Sequence, residues 1–464
     1  MADLSKLLQA DRGQPARTIH LVDPKRYDAW MSAQPPRHRA AAEAQKLTAT
    51  GYASAILPGD QPEEWSVVSV VADVDKLSPW CLAKLAETLP AGTYRLASGE
   101  PGPAAYGWLT GQYRFGRYRA DPDAQGPRVL LTGEPAKIEE TLRLAQATYK
   151  IRDWINTGAN DFGPAELEAA AEEIAKAHGG ALTVTRGEEL ARGYPMIHAV
   201  GKAAGKGRDP RLIEIEWGDP AHPRIALVGK GVVFDSGGLD LKPASGMRLM
   251  KKDMGGAAHA LGLAEMVMAS KLPVRLHLLV AAVENSVSGE AFRPGDILRT
   301  RKGLTVENSN TDAEGRLILG DALTRAGEAN PELILDFATL TGAARVALGA
   351  DLSALFVNND VLALELLSAA DSEADPAWRM PLWDPYDEML KSDVADMVNA
   401  AEGTPFGGAI TAALFLRRFV PEGVQWAHHD IFCWRQASKP GRPKGADAVS
   451  LRATWKALKN RYAK

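Results

Sequence analysis

The first feature that could do chemistry is a stretch of lysines and aspartates beside a glycine pair. Lys230 follows the apolar run RIALVG, and Asp235 stands just before Ser-Gly-Gly. Lys242 comes after the glycines, and Asp253 lies eleven residues further on. Glycines let the backbone turn tightly or approach a ligand that side chains would block. The stretch therefore predicts carboxylates and amines gathered beyond the end of a strand.

A second stretch, NTDAEGR, places two more carboxylates before a predicted helix. Asp312 and Glu314 follow the strand-like run LTVEN, and Arg316 falls in the first turn of a helix that begins near Gly315. By itself this arrangement has a purely structural interpretation, because carboxylates complement the positive end of a helix dipole.

Four carboxylates gathered in a partly dry cleft would repel one another and take up protons. Two divalent cations supply the matching charge, and carboxylate oxygens suit Mg, Mn, Co or Zn. Two such ions can bind one water between them and lower its pKa. A nearby lysine could ligate a metal as the neutral amine, and another could stabilise an oxyanion. The two stretches together predict a two-metal hydrolase.

An EF-hand calcium loop is a competing interpretation of the second stretch. Asn310, Asp312, Glu314, Gly315 and Asp321 come close to its ligand spacing. Two features count against it. The preceding run is strand-like rather than helical, and RLIL already has the pattern of a helical turn where the loop should still coordinate.

Other nucleophile or ligand motifs are weak. His428 and His429 form the only histidine cluster, and neighbours on a strand point to opposite faces, so they cannot readily share a metal. We expect one to lie in the core and the other to be a hydrogen-bonded surface or interface group. Cys433 is expected to be buried and inert. The sequence has no G-x-S-x-G and no phosphate-binding loop motif.

The elements that must position these residues alternate from about residue 182. Strands are predicted for LTVTRG, LIEIEW, RIALVGKG, RLHLLVAAVEN, LILDFATLT and SALFVNN, and helices for GAAHALGLAEMVMAS, GRLILGDALTRAGEA and TAALFLRRFV. Such alternation predicts a mostly parallel sheet covered by helices, with sites just beyond the carboxyl ends of strands. Both charged stretches fall at such positions.

The predicted fold class is α/β, with a small N-terminal α/β domain and a larger catalytic α/β domain. The catalytic domain is expected to have a mostly parallel, mixed central sheet flanked by helices. We assign residues 1–155 to a non-catalytic N-terminal domain, 156–180 to a connecting helical segment and 181–464 to the catalytic domain. The first part mixes strand-like and helix-like runs and holds no cluster of chemical residues.

Composition narrows the function classes. The chain has 464 residues, 45% of them hydrophobic and 24% charged, which is typical of a globular protein. A net charge of −4 gives no electrostatic reason to expect nucleic acid or an anionic membrane as a partner. Two distant cysteines exclude a disulfide framework. With neither a signal peptide nor an apolar run long enough for a membrane span, the expected location is cytoplasmic.

Taken together, the two stretches resemble the leucine aminopeptidase (cytosol aminopeptidase) family, the M17 metallopeptidases. The run NTDAEGRL from Asn310 matches that family's signature octapeptide without a change. The run from Gly229 to Gly238, with Lys242 and the segment MKKDMGG, matches a second motif at the family's spacing. The similarity covers roughly residues 150–435.

The resemblance implies a ligand set for two metals. One ion would be held by Lys230, Asp235, Asp253 and Glu314. The other, more exchangeable ion would be held by Asp235, Glu314 and Asp312, so that Asp235 and Glu314 bridge the pair. The metals would be Mn or Zn, with Mg or Co possible.

The resemblance also implies catalytic roles. A metal-bridged water would be the nucleophile, Lys242 would stabilise the oxyanion, and Arg316 would hold a bicarbonate that acts as general base. Pocket-lining and substrate-binding roles fall, by resemblance, on Met250, Thr339, Leu340 and Gly342.

The implied protein is an aminopeptidase that acts on peptides, favours Leu or other bulky apolar N-terminal residues, and assembles as a homohexamer. One departure affects specificity, since the segment from His428 to Trp434 reads HHDIFCW where the family usually has HLDIAG. A different class of function is a non-catalytic scaffold or nucleic-acid-binding hexamer that keeps only the fold. The presence of all seven metal-site and catalytic positions counts against that alternative.

Overall fold

The computed structural model describes residues 3–61, 63–119, 126–401 and 406–463. The chain forms two compact units. The first contains residues 1–149 and 436–444, and the second contains residues 150–435 and 445–464. The three-part division expected from the sequence stays a prediction. In the described ranges, no helix is both long and apolar enough to cross a membrane.

The first unit is a small α/β layer structure. After a 3-10 turn at Leu4–Lys6, its elements in chain order are β1 (Leu8–Ala10), β2 (Arg17–Val22), α1 (Tyr27–Ser32), α2 (Pro36–Ala44), β3 (Ser54–Pro58), β4 (Trp65–Val70), α3 (Ala83–Thr88), β5 (Gly92–Leu96), α4 (Ala104–Thr110), β6 (Arg128–Thr132) and the start of α5 (Pro135–Asn156).

Its strands form one sheet in the order β1-β6-β5-β2-β4-β3. Every neighbouring pair is parallel except β3 with β4. Aromatic residues fill the core on one face, where the rings of Tyr94 and Trp108 pack at a tilt with their centroids 5.5 Å apart. The buried Trp108 donates its indole N–H to the carbonyl of Arg128 at 2.8 Å, which satisfies its polar atom.

The second unit carries both charged stretches. Its remaining helices and strands are α6 (Pro164–His178), β7 (Ala181–Arg186), α7 (Gly187–Gly193), α8 (Pro195–Gly201), β8 (Arg211–Trp217), β9 (Arg224–Asp235), α9 (Ala244–Met247), α10 (Gly255–Ala269), β10 (Arg275–Asn285), β11 (Ile297–Arg299), β12 (Thr305–Glu307), α11 (Glu314–Gly327), β13 (Leu333–Ala338), α12 (Gly342–Leu348), β14 (Ser353–Val357), α13 (Asp360–Ser372), β15 (Ala377–Arg379), β16 (Met397–Val398), α14 (Gly408–Arg417), β17 (Gln425–Asp430), β18 (Trp434–Arg435), β19 (Gly445–Ala446) and α15 (Leu451–Tyr462). Further 3-10 turns span Met250–Met254, Thr311–Ala313 and Asp384–Leu390.

Its main sheet has eight strands in the order β15-β14-β17-β13-β9-β10-β8-β7. The four central strands, β17, β13, β9 and β10, are parallel to one another, and antiparallel pairs lie toward both edges. The central strands are almost entirely buried, as expected for a sheet with helices on both faces. The predicted fold class is confirmed.

Polar side chains collect at the carboxyl ends of the four parallel strands. Asp235 ends β9, Asn285 ends β10 and Asp430 ends β17, while Thr339 follows β13 directly. A bulge adjusts the first two, because Val232 pairs with Val283 but Asp235 pairs with Asn285, so β9 holds one extra residue. Bulges of this kind re-aim side chains beside functional sites.

The fold contradicts the interpretation of the second stretch as a calcium-binding loop. The strand β12 precedes the second stretch, and α11 begins at Glu314, so the last candidate ligand, Asp321, lies inside that helix. Asp321 instead accepts backbone N–H bonds from Met196 and Arg301, each at 2.8 Å. It is a buried structural carboxylate whose burial raises its pKa to about 7.

Helix α10 packs directly on the backbone of β13, and this contact fixes the helix against the sheet. A Cβ atom at Gly256 would lie 2.0 Å from the carbonyl oxygen of Phe337. No flexible side chain can move aside there, since the neighbour is main chain of a central strand.

We therefore expect Gly256→Ala to lower the melting temperature. Overpacking of this kind typically costs about 1–3 kcal/mol of unfolding free energy. The matched control is Gly289→Ala, because a Cβ atom there meets nothing within 4 Å. Differential scanning calorimetry measures both variants, and equal melting temperatures for the two would contradict the packing argument.

Candidate metal centre and cleft

The first charged stretch leaves β9 and turns sharply. Lys230 and Asp235 lie on β9 itself. Gly237 and Gly238 have φ values of 89° and 66°, a region that favours glycine. The turn is closed by the N–H of Gly237, which donates to Asp235 Oδ1 at 2.8 Å, and by the N–H of Lys242, which donates to the carbonyl of Ser236 at 3.0 Å. This turn returns Lys242 to the end of the strand.

The second stretch is positioned by a capped turn. Asn310 accepts the N–H of Asp312 at 2.8 Å and so caps the 3-10 turn. Glu314 is the first residue of α11, where the helix dipole favours a carboxylate. Thr311 ties this turn to the first stretch, because its hydroxyl donates to the carbonyl of Gly237 at 2.6 Å.

The five predicted metal ligands and Lys242 come together in space. Lys230 Nζ lies 2.6 Å from Asp253 Oδ2 and 3.0 Å from Glu314 Oε1. In the same way Lys242 Nζ lies 2.7 Å from Asp235 Oδ2 and also pairs with Asp312. The side chains of Lys230, Asp253 and Glu314 are all buried.

Crowding and burial shift the pKa values of these groups. Burial raises the pKa of Glu314 well above its usual range, and the negative charge of Asp235 raises it further. The pKa of Asp312 is raised for the same two reasons. Burial acts to lower the pKa of Lys230 and of Lys242, but the surrounding carboxylates outweigh it and raise both. The cluster therefore attracts additional positive charge.

The cluster fits divalent cations on its own geometry. Oxygens of Asp235, Asp312 and Glu314 lie within 4.8 Å of one another, and oxygens that share one divalent ion at about 2.0–2.4 Å are roughly 3–4.8 Å apart. The buried oxygen Glu314 Oε2 has no hydrogen-bond partner among the described residues, and Asp253 Oδ2 and Asp312 Oδ1 pair with the ammonium groups of Lys230 and Lys242. Their remaining lone pairs suit a hard or borderline metal ion.

Neutral residues that the sequence analysis missed hold the carboxylates in place. Asn285 donates its amide to Asp235 Oδ1 at 2.8 Å and to the carbonyl of Thr311 at 3.1 Å. Thr339 donates its hydroxyl to Asp253 Oδ1 at 2.7 Å; its predicted role was only in lining the pocket. The position of Asn285 at the end of a central parallel strand is the one signal that could have identified it.

Arg316 lies in the first turn of α11, two residues after Glu314. It is buried, its guanidinium donates to the carbonyl of Asn399 at 2.7 Å, and its Nε atom has no hydrogen-bond partner among the described residues. Burial lowers its pKa to about 10, with Glu314 and Asp430 opposing that shift. A buried cation with a spare donor can hold a small anion.

A cleft of about 270 Å³ opens beside the acidic cluster. The four residues assigned to substrate binding, Met250, Thr339, Leu340 and Gly342, all line it. The backbone N–H of Leu340 is fixed by Asp430 Oδ1 at 3.0 Å.

The cleft residues that were not predicted individually include Lys252, Arg345 and Phe432. Phe432 lies inside the segment flagged as unusual, and both cations lie over its ring.

The expectation for the adjacent histidines is half wrong, because both are buried and neither is a surface group. His428 Nδ1 lies 2.5 Å from Asp336 Oδ1. His429 stacks on Phe337 with centroids 4.6 Å apart, and burial lowers its pKa to about 3. Helices cover both faces of the sheet and so bury both faces of β17, which explains why neither histidine is at the surface.

Cys433 is buried as expected, and burial raises its pKa, which disfavours the reactive thiolate.

Comparison with known families matches both parts of the chain. The profile of the "Cytosol aminopeptidase family, catalytic domain" matches residues 149–454. The profile of the "M17 aminopeptidase, N-terminal domain" matches residues 18–130. A probable cytosol aminopeptidase of Syntrophotalea carbinolica is 43% identical over 363 residues, which cover 75% of this chain and 72% of that protein.

Solved structures agree with the sequence comparison. The crystal structure of a cytosol aminopeptidase from Coxiella burnetii superposes with a TM-score of 0.92 at 40% identity, covering 99% of this chain and 100% of the other. The bottromycin maturation enzyme BotP in complex with Mn gives a TM-score of 0.86 at 30% identity, covering 96% and 100%.

We expect Asn285→Ala to weaken metal binding, because it frees Asp235 from its amide donor. Loss of such a supporting hydrogen bond typically costs about 10–100-fold in metal affinity. Isothermal titration calorimetry with Mn²⁺ measures the change. The matched control is Asn358→Ala, which also removes two hydrogen bonds but lies elsewhere in the sheet, against Val424 and Trp426. Equal affinities for the two variants would show that Asn285 does not support the site.

Proposed function

Because this chain belongs to the cytosol aminopeptidase family and is a metallo-aminopeptidase, we propose that the acidic cluster at the end of β9 is its catalytic centre. The reaction is hydrolysis of the first peptide bond of a peptide. The observation that supports this most is the cluster itself, in which Asp235, Asp312 and Glu314 present oxygens within 4.8 Å of one another beside the cleft.

The proposed ligands are those implied by the resemblance. Lys230, Asp235, Asp253 and Glu314 would hold one divalent ion, and Asp235, Asp312 and Glu314 the other, with Mn or Zn the favoured metals. When bound, such ions lower the pKa of water and polarise the scissile carbonyl. The unpartnered Glu314 Oε2 and the crowding of the carboxylate oxygens support this assignment.

Lys242 is proposed to stabilise the oxyanion. Its ammonium lines the cleft, is held between Asp235 and Asp312, and has a raised pKa that keeps it charged. As water adds to the carbonyl carbon, negative charge grows on the carbonyl oxygen, and a fixed cation stabilises that charge most in the transition state. The carbon–nitrogen bond then breaks, and the leaving amine takes up a proton.

Positioning and proton transfer are assigned to two further groups. The carbonyl of Leu340 would accept a backbone N–H of the substrate, and Asp430 fixes that peptide unit by accepting the N–H of Thr341 at 3.2 Å. Arg316 would hold bicarbonate, which would supply a general base when bound. Its burial and its spare Nε donor favour binding of a small anion. The homohexameric assembly and cytoplasmic location implied by the resemblance are proposed with the same function.

The decisive experiment is a metal-dependent aminopeptidase assay. Protein loaded with Mn²⁺ or Zn²⁺ is expected to hydrolyse leucyl p-nitroanilide and simple dipeptides, and EDTA is expected to abolish that activity. Elemental analysis is expected to approach two divalent ions per chain. Asp253→Asn lowers that number, whereas the exposed Asp371→Asn does not. Absence of hydrolysis across a panel of dipeptides and metals would refute the proposal.

For Lys242→Met we expect kcat to fall by about 10²–10³-fold, the usual effect of removing a donor that stabilises an oxyanion. Bound metal, measured by elemental analysis, is expected to remain. Steady-state kinetics give the change, and Lys206→Met, at an exposed lysine in a loop, is the control. An unchanged kcat in Lys242→Met would exclude the role.

A further inference from the structure

Two cationic side chains of the cleft have no part in the chemistry described above. Lys252 and Arg345 both line the cleft. The ring of Phe432 brings them together, since Lys252 Nζ lies 5.1 Å and Arg345 Cζ 4.8 Å from its centroid. The two cations are thus no farther apart than the sum of these distances. Both cations therefore belong to the same region of the cleft, beside one aromatic ring.

Neither cation has a carboxylate of its own. Lys252 Nζ lies 3.8 Å from Asp253 Oδ1, but that carboxylate is already engaged by Lys230 at 2.6 Å and by Thr339. Arg345 lies on α12 and is exposed, and no carboxylate of the described residues is within 4.0 Å of it. Both cations lie over the face of the same aromatic ring.

An aromatic face does not replace a counter-ion for a buried ammonium. A cation over a ring gains about 0.5–2 kcal/mol. Lys252 is only 5% exposed, and an apolar side chain in the cleft would remove its remaining water without supplying a partner, which carries a cost. A carboxylate would supply charge-assisted hydrogen bonds to both cations, and a basic side chain would be repelled.

The position of the pair along the chain indicates which part of a peptide would reach it. Lys252 shares the 3-10 turn Met250–Met254 with Met250, which also lines the cleft. Lys252 Nζ also lies 3.8 Å from Asp253 Oδ1, a proposed metal ligand, and the peptide bond to be cut is that of the substrate's first residue. The pair therefore lies beside the first residue of the substrate rather than at a distant part of the peptide.

We propose that the cleft selects peptides with an acidic N-terminal residue, glutamate or aspartate, whose side-chain carboxylate pairs with Lys252 and Arg345. The inference rests on the aminopeptidase function proposed above and names its substrate class. Leucine, the residue implied by the family resemblance, is then a poorer substrate because it leaves both cations unpaired. Phe432 contributes by holding the cations and by packing on the aliphatic part of a glutamate side chain.

The test compares coumarylamides of single amino acids, which carry no carboxylate other than the side chain. Full-length, Mn-loaded protein is assayed with glutamyl, aspartyl, leucyl and lysyl 4-methylcoumaryl-7-amides. We expect kcat/KM to be highest for an acidic residue and lowest for lysine. Lys252→Met and Arg345→Gln are each expected to lower the ratio of glutamyl to leucyl kcat/KM by about 10–100-fold, as for a lost hydrogen bond to a charged group.

The matched control is Lys251→Met, which removes the same charge from the neighbouring residue. Lys251 Nζ is directed to the carbonyl of Asn156 at 2.5 Å, and Lys251 does not line the cleft. We expect Lys251→Met to leave the glutamyl-to-leucyl ratio unchanged. Melting temperatures confirm that each variant is folded, and the exposed Arg345→Gln tests the idea even where Lys252→Met fails to fold.

The outcomes separate the two proposals. Fast leucyl hydrolysis, with a ratio that neither variant changes, would overturn the acidic specificity and leave the aminopeptidase function intact. No hydrolysis of any substrate would refute the function itself, and the specificity with it. If the variants slow only dipeptides that have a free C-terminal carboxylate, and not the coumarylamides, the cations bind that carboxylate and the proposed specificity is wrong.

Discussion

Mutual repulsion among four crowded carboxylates is the constraint around which the second unit is organised. Asp235, Asp253, Asp312 and Glu314 lie within reach of two ammonium groups, and burial strengthens every interaction among them. Such a cluster is stable only when each carboxylate is held at a fixed distance from the others. The parallel centre of the sheet meets this requirement, since it brings the ends of different strands to one edge.

The supporting hydrogen bonds come from that edge. Asn285 at the end of β10 and Thr339 just after β13 each donate to a different carboxylate of the cluster. Thr311 joins the two charged stretches through the carbonyl of Gly237. The rigidity of the site therefore depends on strand register, and the bulge in β9 is the local adjustment that places Asp235 opposite Asn285.

The fold class could be predicted from the sequence, and so could the position of both charged stretches beyond the ends of strands. Strand and helix periods and the glycine turn are local signals. The helix α13 was not predicted, although Asn359 caps it by accepting the N–H of Leu362. The ligand assignments came from family resemblance, since charge counting does not say which carboxylate bridges two ions. The supporting role of Asn285 could not be predicted, because it depends on strand pairing between residues that are fifty positions apart in the chain. The burial of both His428 and His429 could not be predicted, because the sequence of a single strand does not show that helices cover both of its faces.

The neighbouring positions of Lys252 and Asp253 have a consequence for how such a protein can change over evolution. A backbone shift that reshapes the side-chain end of the cleft at Lys252 also moves a carboxylate of the catalytic cluster. A change at Arg345 does not move a carboxylate of the cluster in this way, since Arg345 belongs to α12 and is exposed. New selectivity is therefore more accessible through substitutions on α12, which leave the acidic cluster undisturbed, than through the turn that contains Lys252. In protein engineering, α12 is accordingly the element to randomise first.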